Sequence, residues 1–298
     1  MEKRKSRRKM LKQLGAGSLA FGTINSLSSF TKTDMQKDKY SLKGNVNHSV
    51  CRWTHNFLEL EELCQVVKAI GFSAIDLVGP KDWPMLKKND IFSSMCNGAE
   101  INLVDGWNRT EFHAALKQKY TDHIQLVAKA GYKNLICFSG NRRGMDDETG
   151  LKNCTEGLKQ IMNIAERNNV IIQMELLNSK VNHKDYMCDK TPWGVELAKR
   201  IGSPNFKLLY DIYHMQINEG DVIRTIKDNQ QYLGHYHTGG VPGRHIIDES
   251  QELYYPAIIK AILDTGYKGY VAQEFVSDKT EKNDKIAELK KAVGICDV

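Results

Sequence analysis

Four residues in the second half of the sequence could act on one ion. Glu175 in "IIQMELLN", Asp211 in "LLYDIYH", His237 in "GHYHTGG" and Glu274 in "YVAQEF" each stand at the end of a short apolar run. A charged group placed where a buried run ends is costly unless it is paired or bound to a metal. Three carboxylates and one imidazole form an oxygen-rich set that suits a hard or borderline divalent cation. Mn²⁺, Mg²⁺ or Co²⁺ fits best, and Zn²⁺ is also accommodated. One such carboxylate alone would read as a helix N-cap or a salt-bridge partner. The separations of 36, 26 and 37 residues, however, are each about one strand–helix unit. In a parallel barrel, four residues so spaced become neighbours at the C-terminal rim, where barrel enzymes keep their sites.

The elements that must place them are legible as an alternation. Strand-like runs are "VNHSVC", "AIDLV", "IFSSMC", "NLICFSG", "VIIQMELLN", "FKLLYDI", "LGHYHTGG" and "YVAQEF". Helical patterns lie between them at 58–70, 82–88, 110–130, 147–168, 191–201, 219–230 and 256–265. Helix-ending glycines follow in "AIGF", "KAGY" and "DTGY". Eight strands alternating with helices predict an α/β fold, a single (β/α)8 barrel over residues 45–298. A doubly wound open sheet is the alternative, but no strand leads into a Gly-rich dinucleotide or P-loop fingerprint.

Other polar residues are expected near the same rim. His214 lies just past the strand carrying Asp211, and Arg244 sits in the Gly/Pro loop "GGVPGRH"; both could reach a ligand. Glu252 in "SQELYY" could approach from the loop before the last expected helix. His235 points to the same side as His237 because strand side chains alternate with period two. It reads equally as support for His237 or as barrel filling. Arg142 and Arg143 in "SGNRRG" could bind substrate or simply face solvent. Trp53, Trp83 and Trp107 could wall a small pocket, although core packing is the safer reading of each.

Composition limits the function. The chain has 42 Lys/Arg and 36 Asp/Glu, a formal charge of +6. Residues 1–12 hold seven of those basic residues and one acid, leaving 35 of each sign in the remainder. A nucleic-acid partner should leave a basic footprint on the folded part, and the balance there shows none. The segment "RKSRRKMLKQLGAGSLAFGTINSLSS" joins a basic stretch to a mild apolar one too short and too polar for a stable membrane span. Its Ser6–Lys12 run resembles a bacterial twin-arginine export signal. Residues 1–30 are therefore expected to direct export, to the periplasm, with 31–44 as a polar linker; a plain basic tail would leave the protein cytoplasmic. The seven cysteines are scattered and include no C-x-x-C pair, so free buried thiols are expected rather than disulfides or a zinc finger.

In order and spacing, "MELLN", "YDIYHMQ", "GHYHTGG" and "AQEF" resemble the xylose isomerase-like barrels, most closely the hydroxypyruvate isomerase branch, over residues 46–280. The resemblance implies metal-binding positions at Glu175, Asp211, His237 and Glu274. It makes Glu175 and Glu274 an acid/base pair and places substrate contacts at His214 and Arg244. Two positions depart from that branch. Leu176 stands where a Pro is usual, and His237 stands where many members carry Gln. The "GHxHTG" wording is closer to ketose 3-epimerases of the same superfamily.

The implied chemistry is proton transfer beside the carbonyl of a small hydroxy-carbonyl or sugar-like substrate through an enediolate. A bound divalent metal would stabilise the charge that develops. Conversion of hydroxypyruvate to tartronate semialdehyde is the first expectation and ketose 3-epimerisation the second. Metal-dependent phosphodiester cleavage and non-catalytic binding by an exported barrel are the rival classes. The sequence does not fix oligomeric state, and a homo-oligomer is allowed.

Overall fold

The computed structural model describes residues 41–298. Eight parallel strands close a barrel in chain order: β1 (Asn47–Cys51), β2 (Ala74–Val78), β3 (Phe92–Cys96), β4 (Asn134–Cys137), β5 (Ile171–Glu175), β6 (Phe206–Asp211), β7 (Leu233–Thr238) and β8 (Tyr270–Gln273). β8 returns to β1, with Asn47 opposite Tyr270 and Val50 opposite Gln273. Closure leaves no unpaired sheet edge. The strands are apolar on both faces because one face meets the barrel interior and the other a layer of helices. All eight expected strands are present.

The outer layer comprises α1 (Leu60–Ile70), α2 (Trp83–Lys88), α3 (His113–Ala130), α4 (Asp147–Arg167), α5 (Thr191–Ile201), α6 (Ile212–Asn218), α7 (Val222–Asn229), α8 (Tyr255–Asp264) and α9 (Lys282–Cys296). The helix expected over 219–230 starts late because Gly220 (φ 70°) and Asp221 (φ 46°) adopt left-handed backbone. α6 fills the stretch before it and is capped by Asp211, whose side chain accepts from His214 N at 3.1 Å. α9 was not among the expected helices. It buries Leu289, Ala292, Val293 and Cys296, one helical stripe.

The expected export segment, and residues 31–40 of the expected linker, lie outside the described residues. At 41–44 the chain is already docked, with Leu42 against the core and Lys43 N donating to Asp297 Oδ2 at 2.7 Å. No helix among the described residues is long and apolar enough to cross a membrane. All seven cysteines are free and buried, as expected.

Two local irregularities shape the C-terminal rim. β2 carries a bulge at Leu77, whose φ of 56° breaks register between Asp76 and Val78. The loop after β3 crosses the loop after β4 at Gly106. A Cβ built there would lie 2.4 Å from Gly140 N, so only glycine permits this approach.

Candidate metal centre and active site

The barrel gathers Glu175, Asp211, His237 and Glu274 into one buried cluster. One ligand atom from each lies within 4.8 Å of the others. Glu175 and Asp211 end β5 and β6, His237 is on β7, and Glu274 immediately follows β8. Asp211 uses Oδ1 to cap α6, which leaves Oδ2 facing the cluster, 3.0 Å from Arg244 Nη2.

The donor set fits a divalent cation, and His237 carries the argument. Its Nε2 donates to Asp76 Oδ1 at 3.0 Å. Its Nδ1 lies 2.9 Å from Glu274 Oε2 and 3.3 Å from Glu175 Oε1, yet makes no hydrogen bond. A buried lone pair among carboxylate oxygens needs a positive charge between them. A carboxylate behind the far nitrogen is the usual support of a metal-binding histidine.

In the protein alone, these groups feel strongly different surroundings. Burial pushes Glu175 up to about 7, against the lowering effect of His237. Burial likewise lifts Asp211 to about 6, opposed by Arg244. Glu274 is buried as deeply, but His237 and Arg244 together hold it well below the usual carboxylate range. His237 is driven down by burial and further up by Glu274, ending well above an ordinary imidazole. A proton thus favours this cluster when no cation does, and cation uptake should release it.

Asp76, which the sequence reading did not single out, backs the cluster from β2. It is fully buried inside the barrel, with Oδ1 on His237 and Oδ2 2.8 Å from His235 Nε2, and it accepts from Ser94 Oγ at 2.6 Å. Burial alone would raise its pKa, but His235 and His237 outweigh that and keep it ionised. The available signal was a lone Asp in the apolar strand "AIDLV". His235 lies against the same Asp76 carboxylate that His237 uses. Cys51 also approaches, 3.8 Å from Asp76 Oδ1 and 3.9 Å from His237 Nε2. Burial raises its thiol far above the ordinary range, so it stays protonated there.

Above the cluster opens a cavity of about 950 Å³. Arg244 reaches into it from the loop after β7, with Nη1 2.5 Å from Glu274 Oε2. The guanidinium lies 4.5 Å from the Tyr213 ring and 5.9 Å from that of Trp53. His214 also lines the cavity and lies against Arg244. Asn178 Nδ2 lies 2.6 Å from His214 Nδ1, and His214 Nε2 accepts from Arg244 Nη2. Burial first, and Arg244 second, hold His214 well below its ordinary value, so it is neutral. His214 and Arg244 are thus where the sequence placed them.

Glu252 is not. It is exposed, accepts from Gln216 Nε2 at 3.1 Å and does not line the cavity. Its backbone N donates to Val241 O at 2.9 Å, but its side chain does not enter the cavity, so nearness in sequence to α8 did not make it part of the site. Arg142 and Arg143 likewise serve loop structure, Arg142 with Asp147 and Asp189, Arg143 with Asp105 at 2.5 Å. Trp83 and Trp107 are core residues. Trp53 is the exception to the core reading: it donates from Nε1 to Glu274 Oε1 at 2.6 Å while its ring faces the cavity. Asn182 and His183 also line the cavity and were not singled out from sequence.

A closed (β/α)8 barrel with a buried carboxylate–imidazole cluster at the C-terminal ends of its last four strands defines a class of rim-centred site. The chain belongs to the xylose isomerase-like TIM barrel family, whose model matches residues 64–293. A putative hydroxypyruvate isomerase of Homo sapiens is 28% identical over 120 residues, 40% of this chain and 43% of that one. A D-psicose 3-epimerase of Ruminiclostridium cellulolyticum is 30% identical over 164 residues, 53% of this chain and 52% of that one. The match thus spans about half the length of these curated relatives. Among solved structures, an AP endonuclease of family 2 from Brucella melitensis superimposes with a TM-score of 0.71 at 21% identity, covering 79% of this chain and 95% of that one. At that identity the likeness concerns the fold alone.

Proposed function

We propose that this protein is a metal-dependent isomerase or epimerase that moves a proton beside the carbonyl of a hydroxy-carbonyl, sugar-like substrate. The observation that carries the reading is the convergence of Glu175, Asp211, His237 and Glu274 within 4.8 Å on the floor of a cavity that Arg244 and His214 enter. A divalent cation held by those four would act as a Lewis acid toward the substrate oxygens.

The protein's own groups supply the proton chemistry. Glu175 and Glu274 form the acid/base pair, and such a pair must hold opposite protonation states at one pH. Without a cation their surroundings already differ, burial raising Glu175 while His237 and Arg244 lower Glu274. Trp53 Nε1–H fixes Glu274 Oε1. Arg244, held against the neutral His214, presents N–H donors for a substrate oxygen, and the buried floor excludes water from the developing charge.

Two finer readings share these residues: hydroxypyruvate to tartronate semialdehyde, and 3-epimerisation of a ketose. The 950 Å³ cavity favours a sugar-sized substrate over a three-carbon one. The similarity to a D-psicose 3-epimerase supports the same choice. For the tail we infer twin-arginine export, on its Ser6–Lys12 run. Fractionation of a host with and without that translocase tests it, and equal periplasmic amounts would refute it.

The test of the chemistry is proton–deuterium exchange in D₂O with Mn²⁺ or Mg²⁺, followed by NMR. Metal-dependent exchange beside the carbonyl, abolished by a chelator and by Glu175→Gln, is expected. Full exchange by both Glu175→Gln and Glu274→Gln variants would refute the acid/base assignment.

A further inference from the structure

The cavity has two unlike ends. Its floor is the polar cluster, whereas its mouth is apolar. Five of the eight large hydrophobic side chains exposed among the described residues line this cavity: Trp53, Ile101, Leu103, Val104 and Val276. Each stands 36–46% exposed. Single exposed hydrophobic residues need no explanation, but their concentration around one polar pocket does.

The display is built in. Asn102 Oδ1 accepts from Val104 N at 2.8 Å and from Asp105 N at 2.7 Å, so the loop after β3 turns on itself. Asn141 N donates to Val104 O at 2.9 Å, and Gly106 lies against Gly140 just beyond. The loop is thus fastened through its backbone, and its apolar side chains are left facing the cavity rather than the core. The volume of about 950 Å³ is near the upper end for pockets that enclose drug-sized ligands. A free triose would contact the floor and leave the mouth wet.

We propose that the substrate's hydroxy-carbonyl head carries a second ring, seated against Trp53 and the 101–104 loop. The substrate class is then a ring-substituted keto sugar, glycosyl or aryl, rather than a free triose or ketose. The inference rests on the isomerase or epimerase reading of the floor. Both kinds of ring offer an apolar face that can stack on an indole and displace water from Ile101, Leu103 and Val104.

The experiment compares kcat/KM for metal-dependent deuterium exchange on four substrates. They are hydroxypyruvate, a free ketose, a keto-glucose linked to a second glucose, and a keto-glucose linked to a nitrophenyl group. At least one ring-bearing compound should exceed both ring-free ones by about tenfold or more, and the two ring-bearing arms identify the ring. In an Ile101→Ser/Val104→Ser variant that preference should fall about tenfold. Both positions are half exposed, so the fold should survive. Exchange as fast on the ring-free compounds would overturn the proposal and leave the reading of the floor intact. No exchange on any compound would overturn both. An unaltered preference together with a lower sedimenting mass would instead assign the patch to contact between two copies of the chain.

Discussion

The two halves of the barrel do different work. β5–β8 and their loops supply all four residues of the carboxylate–imidazole cluster, together with Arg244 and His214 of the cavity. β1–β4 supply most of the apolar wall, namely Trp53, Leu77, the 101–104 loop, Ile136 and Phe138. The same scaffold unit, repeated, thus carries charge on one side of the opening and hydrocarbon on the other. Loops on a rigid barrel can be changed without touching strand pairing, so reaction and selectivity can be placed in separate halves. Two of the side chains that cross the divide reach the cluster by hydrogen bonds of 3.0 Å or less. Asp76 reaches from β2 to His237, and Trp53 reaches from the turn after β1 to Glu274.

The largest effects should come from the second half. Glu175→Gln or Glu274→Gln should lower kcat by about 10²–10⁴-fold with the fold unchanged by circular dichroism. An equal loss from any single apolar residue of the first half would break the division.

Next is a pH effect seated on a residue of the first half. His55, in the turn after β1, is buried against Phe275, and burial lowers it from 6.5 to about 4, with a backbone hydrogen bond opposing. The unfolded chain takes up this proton near 6.5 and the folded chain resists until about 4. His55 therefore costs no stability above pH 6.5, and as pH falls to about 4 it should withdraw about 3 kcal/mol. Urea melts across that range should show the decline, and a flatter one for His55→Gln. A decline unaltered by the substitution would place the acid sensitivity elsewhere.

The crossing residues sharpen the comparison. Asp76→Asn should weaken metal affinity by about 10–100-fold, read by calorimetry, because His237 loses the carboxylate that orients it. Unchanged affinity would make Asp76 a structural residue only. Trp53→Phe keeps the ring but removes the donor to Glu274; kcat should fall about tenfold or less, since the indole is 46% exposed. Its ring-substrate preference should persist, which separates the two roles of this side chain.

The second half was also the more legible in sequence. Glu175, Asp211, His237 and Glu274 stand out because a polar residue at the end of an apolar strand has few cheap explanations, and their spacing repeats the βα unit. Asp76 sits inside such a strand, and the histidines that stabilise it come from β7, far along the chain. Nothing local distinguishes it from a packing irregularity. Glu252 shows the converse failure: a carboxylate near a rim loop in sequence can face solvent, because a loop's path is set by contacts its own residues do not display. α9 escaped notice because Ala292 and Cys296 stand in its buried stripe where larger residues would have announced it. The apolar mouth was invisible as a unit, since Trp53, the 101–104 loop and Val276 meet only once the barrel closes.

The most direct test of the central claim is a crystal grown with Mn²⁺ and measured at a wavelength where manganese scatters anomalously. The account expects one strong anomalous peak bounded by Glu175, Asp211, His237 and Glu274, lost in a His237→Asn variant. A peak elsewhere, or none under conditions that support exchange, would contradict it.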